Sequence, residues 1–203
     1  MIDIIFPNKN EKEFIELAEK LDHKGLVLVY KDKKEIPDFK KLKTKLKVYT
    51  GIITGFKGIE TAKKNSDLVI VKSSDADRRI FEKSRADLIF EFEGSERKDF
   101  IHHKASGLNQ VLCKLASKRK ISIGFSFSSL LNASNYRRAQ IIGRMMQNIK
   151  LCRKYKVKTV IASFASTPYE MRSAKDLEAF FSVIGMHPKE CKEALQEITK
   201  RVK

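Results

Sequence analysis

The sequence has no tryptophan, three cysteines, four prolines and four histidines, and 70 of its 203 residues run without one acidic side chain. Each shortage excludes something. Cys113, Cys152 and Cys191 are odd in number, far apart and form no CxxC pair, which argues against a disulfide scaffold or a thiolate zinc site. Small buried thiols are expected instead. No stretch of about 18 uncharged apolar residues occurs, so no membrane-spanning helix is expected. Met1–Asn10 lacks a basic segment followed by a long apolar one, so no secretory leader is expected. With no low-complexity tract or linker, the expectation is one domain over residues 1–203 of a soluble, cytoplasmic protein.

The missing acids are concentrated in one place. Residues 1–50 hold 12 basic and 9 acidic side chains, and residues 51–100 hold 10 of each. From Phe100 to Tyr169 there are 13 Lys or Arg and no Asp or Glu, whereas the chain's own acidic frequency of 25 in 203 would put about eight or nine there. Cations of this segment must pair with acids elsewhere in the fold, with a partner, or with water. The net charge of +17 is therefore a localised field of the kind that suits a polyanion. The competing reading is a Lys-rich solubilising surface of the thermophile type.

What is present is a repeat of short apolar runs. They are Ile2–Phe6, Gly25–Tyr30, Lys47–Ile53, Leu68–Lys72, Leu88–Phe92, Ile121–Phe127 and Thr159–Phe164, with helical segments between them. Spacings of 20 to 23 residues between the first five starts fit one strand, one helix and two loops. Continuous runs such as Leu26-Val27-Leu28-Val29 indicate strands buried on both faces. Seven such units predict an α/β fold, a parallel (β/α) TIM-like barrel with a degenerate last strand around Val183–Met186. Helices are predicted after Asn10, after a Ser74/Asp77 capping pair, and over about Asn135–Tyr155. A further two follow a Ser173/Asp176 pair and open at Pro188. On the longest helix, Ile142, Met145, Met146, Ile149 and Cys152 should face inward, with Arg137, Gln140, Arg144 and Asn148 outward.

A parallel barrel places catalytic groups at the C-terminal ends of its strands, and the inventory there is nearly empty. The first strand ends Ile4-Ile5-Phe6-Pro7, with no HxH. His102-His103 are adjacent on a loop beside Lys104, a poor arrangement for one metal ion. His23 and His187 lie near helix ends, where solvated or capping roles are expected. Glu91 and Glu93 are expected on one face of the fifth strand, within reach of Lys72. Gly51, Gly55 and Gly58 do not make a phosphate loop. No catalytic or metal-binding residue is assigned.

The cations remain. Lys72, Arg78, Arg79 and Arg85 surround one predicted helix, and Lys114, Lys118, Arg119 and Lys120 line the next. Arg137, Arg138 and Arg172 stand at helix starts, where the macrodipole opposes them; Lys150 through Lys158 stand at a helix end, where it favours them. Unfavourable placement marks Arg137, Arg138 and Arg172, with Arg144 on the same helix, as candidate phosphate contacts. Aromatics placed for base stacking are not evident, so shape and backbone recognition of structured RNA is the expected mode.

Four segments carry a resemblance. They are Ser106-Gly107-Leu108-Asn109-Gln110-Val111-Leu112 with the strand Ile121–Ser126, the helix around Arg144-Met145-Met146, Cys152-Arg153-Lys154-Tyr155-Lys156-Val157, and Arg172-Ser173-Ala174-Lys175-Asp176-Leu177 leading to Ser182–Met186. In order and spacing they resemble ribonuclease P protein component 3. The resemblance implies a barrel related to the polymerase and histidinol phosphatase type that has lost its metal ligands. It also implies a protein subunit of ribonuclease P that helps a catalytic RNA, with its own Mg²⁺, remove the 5′ leader of precursor tRNA. Implied partners are the RNase P RNA and a small ferredoxin-like subunit, two such pairs forming a heterotetramer. Carried over by position, RNA contacts fall at Arg78, Lys118 or Arg119, Lys156 or Lys158, and Arg172. Relatives often have His where this chain has Gln110. The alternative reading is a metal-dependent phosphoesterase; a general nucleic-acid binder is the third.

Overall fold

A computed structural model of the chain describes residues 1–37 and 44–202. Seven strands, β1 (Ile2–Ile5), β2 (Gly25–Tyr30), β3 (Lys47–Ile53), β4 (Leu68–Lys72), β5 (Leu88–Phe90), β6 (Ser122–Ser126) and β7 (Thr159–Ala162), pair in parallel in chain order. Ile4 sits opposite Val27, Leu28 opposite Thr50, Val71 opposite Ile89, and Phe125 opposite Ile161. The barrel closes where Ile5 bridges Ala165 and the Phe6 N–H donates to the Ala165 carbonyl at 2.8 Å.

The continuous apolar runs follow from burial on both faces. In β2, Val27 and Val29 enter the barrel interior with Ile4, Ile70, Leu88 and Val160, while Leu26 and Leu28 pack outward against Phe14, Ile15 and Ala18 of α1 (Glu11–Lys20). The remaining helices are α2 (Ile59–Asn65), α3 (Asp77–Lys83), α4 (Gln110–Arg119), α5 (Ser128–Leu131), α6 (Asn135–Lys154), α7 (Ala174–Val183) and α8 (Pro188–Arg201). Ser173 caps α7 by accepting the Asp176 N–H, as its sequence pair predicts.

No eighth strand forms among the described residues. Helix α7 runs through Val183, and α8 packs along β7 and β1, sending Ile198 and Val202 into the interior cluster. An amphipathic helix thus fills the gap where a short degenerate strand could not.

Three expectations change. The fifth strand stops at Phe90, because Glu91 adopts a left-handed conformation (φ 62°) and turns the chain into a short 3-10 segment, Phe92–Gly94. Glu91 and Glu93 therefore do not share a strand face. His23 is buried, not solvated, with Nε2 3.8 Å from Oδ2 of the buried Asp3. Burial pushes the Asp3 carboxyl up and the His23 imidazole down, each opposed by the other's charge. On α6, Arg144 and Asn148 are fully buried while Met146 is exposed. The outward face of that helix is covered by the long β5–α4 connection, which hydrophobic periodicity does not register.

Candidate nucleic-acid interface

In a parallel barrel each helix starts at the C-terminal end of one strand and finishes at the N-terminal end of the next, so a basic residue's place in its helix assigns it to one end of the molecule. Arg78, Arg137, Arg138 and Arg172 belong to the C-terminal end. Lys118, Arg119, Lys156 and Lys158 belong to the N-terminal rim. The predicted contacts therefore form two groups, and Arg144 belongs to neither.

Arg144 is a correction to the candidate set. Its side chain has no exposure, its Nε donates to Asp99 Oδ1 at 2.9 Å, and its terminal nitrogens donate to the carbonyls of Glu93, Ser95 and Arg97. Asn148 Nδ2 donates to Glu93 Oε1 at 2.7 Å and to the Ser106 carbonyl at 2.9 Å, and Gln147 bonds Lys104 and Ser106. The 19-residue connection from β5 to α4, residues 91–109, leaves many carbonyls to satisfy, and the guanidinium's five donors answer several at once. Burial pushes the Glu93 carboxyl up to about 7, against the Asn148 hydrogen bond. The same connection carries Gly107, whose φ of +79° and closeness to the Phe92 carbonyl exclude a side chain.

The C-terminal arginines are braced against backbone. Arg137 donates to the carbonyls of Gly94 and Ser95 at 2.9 and 3.0 Å and pairs with Glu96 at 3.2 Å. Arg138 reaches the carbonyls of Leu130 and Ala133 at 2.8 and 3.0 Å. Arg172 donates to the carbonyls of Tyr169 and Met171 and lies 5.5 Å over the Phe127 ring. Carbonyl oxygens thus offset what the helix dipole costs these cations. Arg78 pairs with Glu82 one turn on and lines a groove where Lys72, Arg97, Asp77 and Glu91 alternate in sign.

The N-terminal rim is different. Lys118, Lys120, Lys154 and Lys156 are exposed and form no ion pair among the described residues, and Lys158 is loosely paired with Glu193 at 3.8 Å. Arg119 also bonds the Glu82 carbonyl. Lys120 (φ 57°) and Lys156 (φ 54°) end α4 and α6 in the left-handed conformation, at equivalent points of successive repeats where glycine is the usual residue. Asp22 (φ 56°) holds the same position after α1, in the charge-balanced part of the chain. The Ser117 hydroxyl reaches the Lys156 carbonyl at 3.5 Å, so the two lysine caps are neighbours. Lys114 and Lys154 flank the Tyr155 ring at 5.9 and 5.7 Å.

Among the described residues, every ion pair made by a cation of residues 100–169 uses an acid outside that segment, as the sequence requires: Glu96, Asp99, Glu190 and Glu193. The sequence reading missed the exposed aromatics. Tyr136, Tyr169 and Phe100 are displayed to solvent.

The barrel mouth is occupied by phenylalanines. Phe90 and Phe164 stack at 4.6 Å, with Phe6 at 5.9 and 6.4 Å from them, and Lys72 pairs with Glu91 at 2.6 Å beside them. Among the described residues no group of three or more His, Cys, Asp or Glu side chains comes together as metal ligands, and His102 and His103 are exposed. This mouth does not fit a di- or trinuclear phosphoesterase centre. Among the described residues no helix is long and apolar enough to cross a membrane.

Comparison with known proteins gives one consistent picture. The model of the family described as RNase P subunit p30 matches residues 2–202. Ribonuclease P protein component 3 of Methanosarcina mazei is 36% identical over 110 residues, 52% of this chain and 46% of the relative. The protein of that name from Thermococcus kodakarensis is 40% identical over 92 residues, 45% and 42% of the two chains. The matched stretches span about half the length of these relatives. A chain in the cryo-EM structure of archaeal ribonuclease P with mature tRNA superposes with a TM-score of 0.80 and 25% identity, over 98% of this chain and 89% of that one. The crystal structure of an uncharacterised protein shares the fold alone, with a TM-score of 0.57 and 8% identity over 99% and 74%.

Proposed function

The chain belongs to the RNase P subunit p30 family, and from that premise we propose that it is a protein subunit of ribonuclease P, assisting a catalytic RNA in removing the 5′ leader of precursor tRNA. The observation that carries the reading is the N-terminal rim: exposed lysines without ion pairs, held at fixed backbone geometry between α4 and α6. Each such lysine placed near a phosphate displaces a condensed counterion, giving affinity that needs no base reading. Neutralised phosphates let RNA helices pack closely, which lowers the Mg²⁺ needed to hold the active fold.

In this reading hydrolysis and its Mg²⁺ ions belong to the RNA, and no side chain of this protein acts as nucleophile or general base. The phenylalanine-filled mouth supports that assignment over the phosphoesterase alternative. Arg78, Lys118, Arg119, Lys156 and Lys158 remain the proposed phosphate contacts, joined by Lys120, exposed on the same rim, with Arg137, Arg138 and Arg172 acting through charge while braced on carbonyls. The small ferredoxin-like subunit is the proposed protein partner. Phe100 and Ile101, exposed on the connection that Arg144 clamps, offer apolar area for it. The role carries with it a cytoplasmic location.

The test is affinity purification of the full chain followed by sequencing of co-purifying RNA. Enrichment of RNase P RNA and precursor tRNA is expected. Recovery of unrelated RNAs in proportion to their abundance overturns the assignment in favour of a general binder.

A further inference from the structure

We infer that Tyr136 and Tyr169 form a stacking platform for unpaired RNA bases at the C-terminal end of the barrel, a second contact of a different kind from the lysine rim. The inference rests on the RNA-binding reading above and extends it. Both rings are almost wholly exposed, at 82% and 89%. They lie on adjacent repeats, Tyr136 in the first turn of α6 and Tyr169 in the 3-10 turn Pro168–Glu170 that follows β7. Asn132 Nδ2 donates to Glu170 Oε1 at 3.0 Å, tying the segment before Tyr136 to the turn that carries Tyr169.

Both mounts are rigid. Pro168 fixes the backbone just before Tyr169, the Glu170 carboxylate accepts the Ser166 N–H, and the Arg172 guanidinium grips the Tyr169 carbonyl at 2.8 Å. Arg138 holds the Leu130 and Ala133 carbonyls ahead of Tyr136. A flat ring displayed on a braced turn loses little freedom on stacking, and every base has a face to stack on. The surroundings favour an anion's approach. Arg137 and Arg138 follow Tyr136 directly in α6, and Arg172 and Lys175 lie three and six residues past Tyr169. The nearby acids Glu170 and Asp176 are engaged by Asn132 and by Ser173, and Glu96 pairs with Arg137. The first turn of α6 holds no acidic residue. A nucleic acid with unpaired bases matches both the charge and the rings. A protein partner would use the rings but has no need of the arginines.

Fluorescence anisotropy of the full chain separates the possibilities, using two labelled RNAs of equal phosphate number, a hairpin with an adenosine loop and a fully paired duplex. Wild type is expected to bind both and to prefer the hairpin. Tyr136→Ala and Tyr169→Ala should each weaken hairpin binding about tenfold, leave duplex binding unchanged, and leave the salt dependence of both unaltered, because no phosphate contact is lost. Tyr136→Phe and Tyr169→Phe should bind as wild type, and leucine at either position should not. Unchanged hairpin affinity in the double alanine variant, or equal losses on both RNAs, overturns the inference while leaving the RNA-binding reading intact. Unchanged RNA affinity together with lost capture of the ferredoxin-like subunit assigns the rings to a protein instead. Failure of wild type to bind either RNA overturns the parent reading and this one with it.

Discussion

Arg144 and Asp99 form an ion pair of 2.9 Å in which the guanidinium is wholly shielded from solvent, 45 residues apart in sequence. Burial alone would raise the Asp99 carboxyl; the Arg144 hydrogen bond, the Ala105 N–H and nearby positive charge together hold it below the usual carboxylate range. The pair fastens the β5–α4 connection to α6. Arg144→Ala removes one partner and strands a carboxylate and three carbonyls, so a loss of about 3–5 kcal/mol is expected in urea denaturation. Arg144→Lys should rescue little, because an ammonium cannot present a planar fork to four acceptors.

Glu93 gives a pH dependence with a definite sign. Its folded pKa is raised from 4.5 to about 7 by burial. Its contribution is therefore present below the unfolded value and is lost as pH rises through about 7. Glu93→Gln keeps the Asn148 hydrogen bond without the charge. Its stability relative to wild type should improve by about 3 kcal/mol between pH 4 and pH 8, measured as the difference between their denaturation midpoints.

The left-handed lysine caps separate backbone strain from function. Lys120→Gly and Lys156→Gly relieve about 1 kcal/mol of strain each, so thermal stability should hold or rise. RNA affinity should fall, and the slope of log K against log salt should shrink by about one per substitution. Lys9→Gly is the control: Lys9 is also left-handed and exposed (φ 62°) but lies in the loop between β1 and α1, at the opposite end of the barrel from the rim. It should gain the same stability and lose no RNA binding.

The braced arginines behave as mixed cases. Arg138→Ala and Arg172→Ala each abandon two or more carbonyl hydrogen bonds, so a cost of about 1–3 kcal/mol is expected in denaturant. Loss of RNA affinity should persist in conditions where both variants remain folded, as followed by circular dichroism. A fully stable double variant would show that the carbonyl contacts contribute nothing.

The strand order was readable because burial on both faces leaves continuous β-branched runs, and β2, β3 and β4 begin and end where those runs do. Helix α8 was marked by Pro188 alone. The outer face of α6 was not readable. Arg144 and Asn148 meet Glu93 across 51 and 55 residues, and local periodicity carries nothing about so distant a cover. The 33-residue interval between the fifth and sixth runs was the available sign that an extra layer existed. The acid-free span was visible as a count. Its division between two ends of the barrel, and the left-handed caps at Lys120 and Lys156, depend on backbone geometry for which no glycine or asparagine stands as a marker. Exposure of Tyr136 and Tyr169 likewise follows from loop placement rather than from any pattern in the chain.

The central claim is that this protein supplies charge and shape to a catalytic RNA and no chemistry of its own. Cleavage of precursor tRNA by the cognate RNA, measured at low Mg²⁺ with and without the full chain and its ferredoxin-like partner, tests it most directly. The expected result is a marked rise in cleavage rate on adding the proteins, reduced in the Lys120→Gly, Lys156→Gly variant and recovered by raising Mg²⁺. Cleavage that is unchanged by the proteins, or that proceeds with the protein in the absence of the RNA, would contradict it.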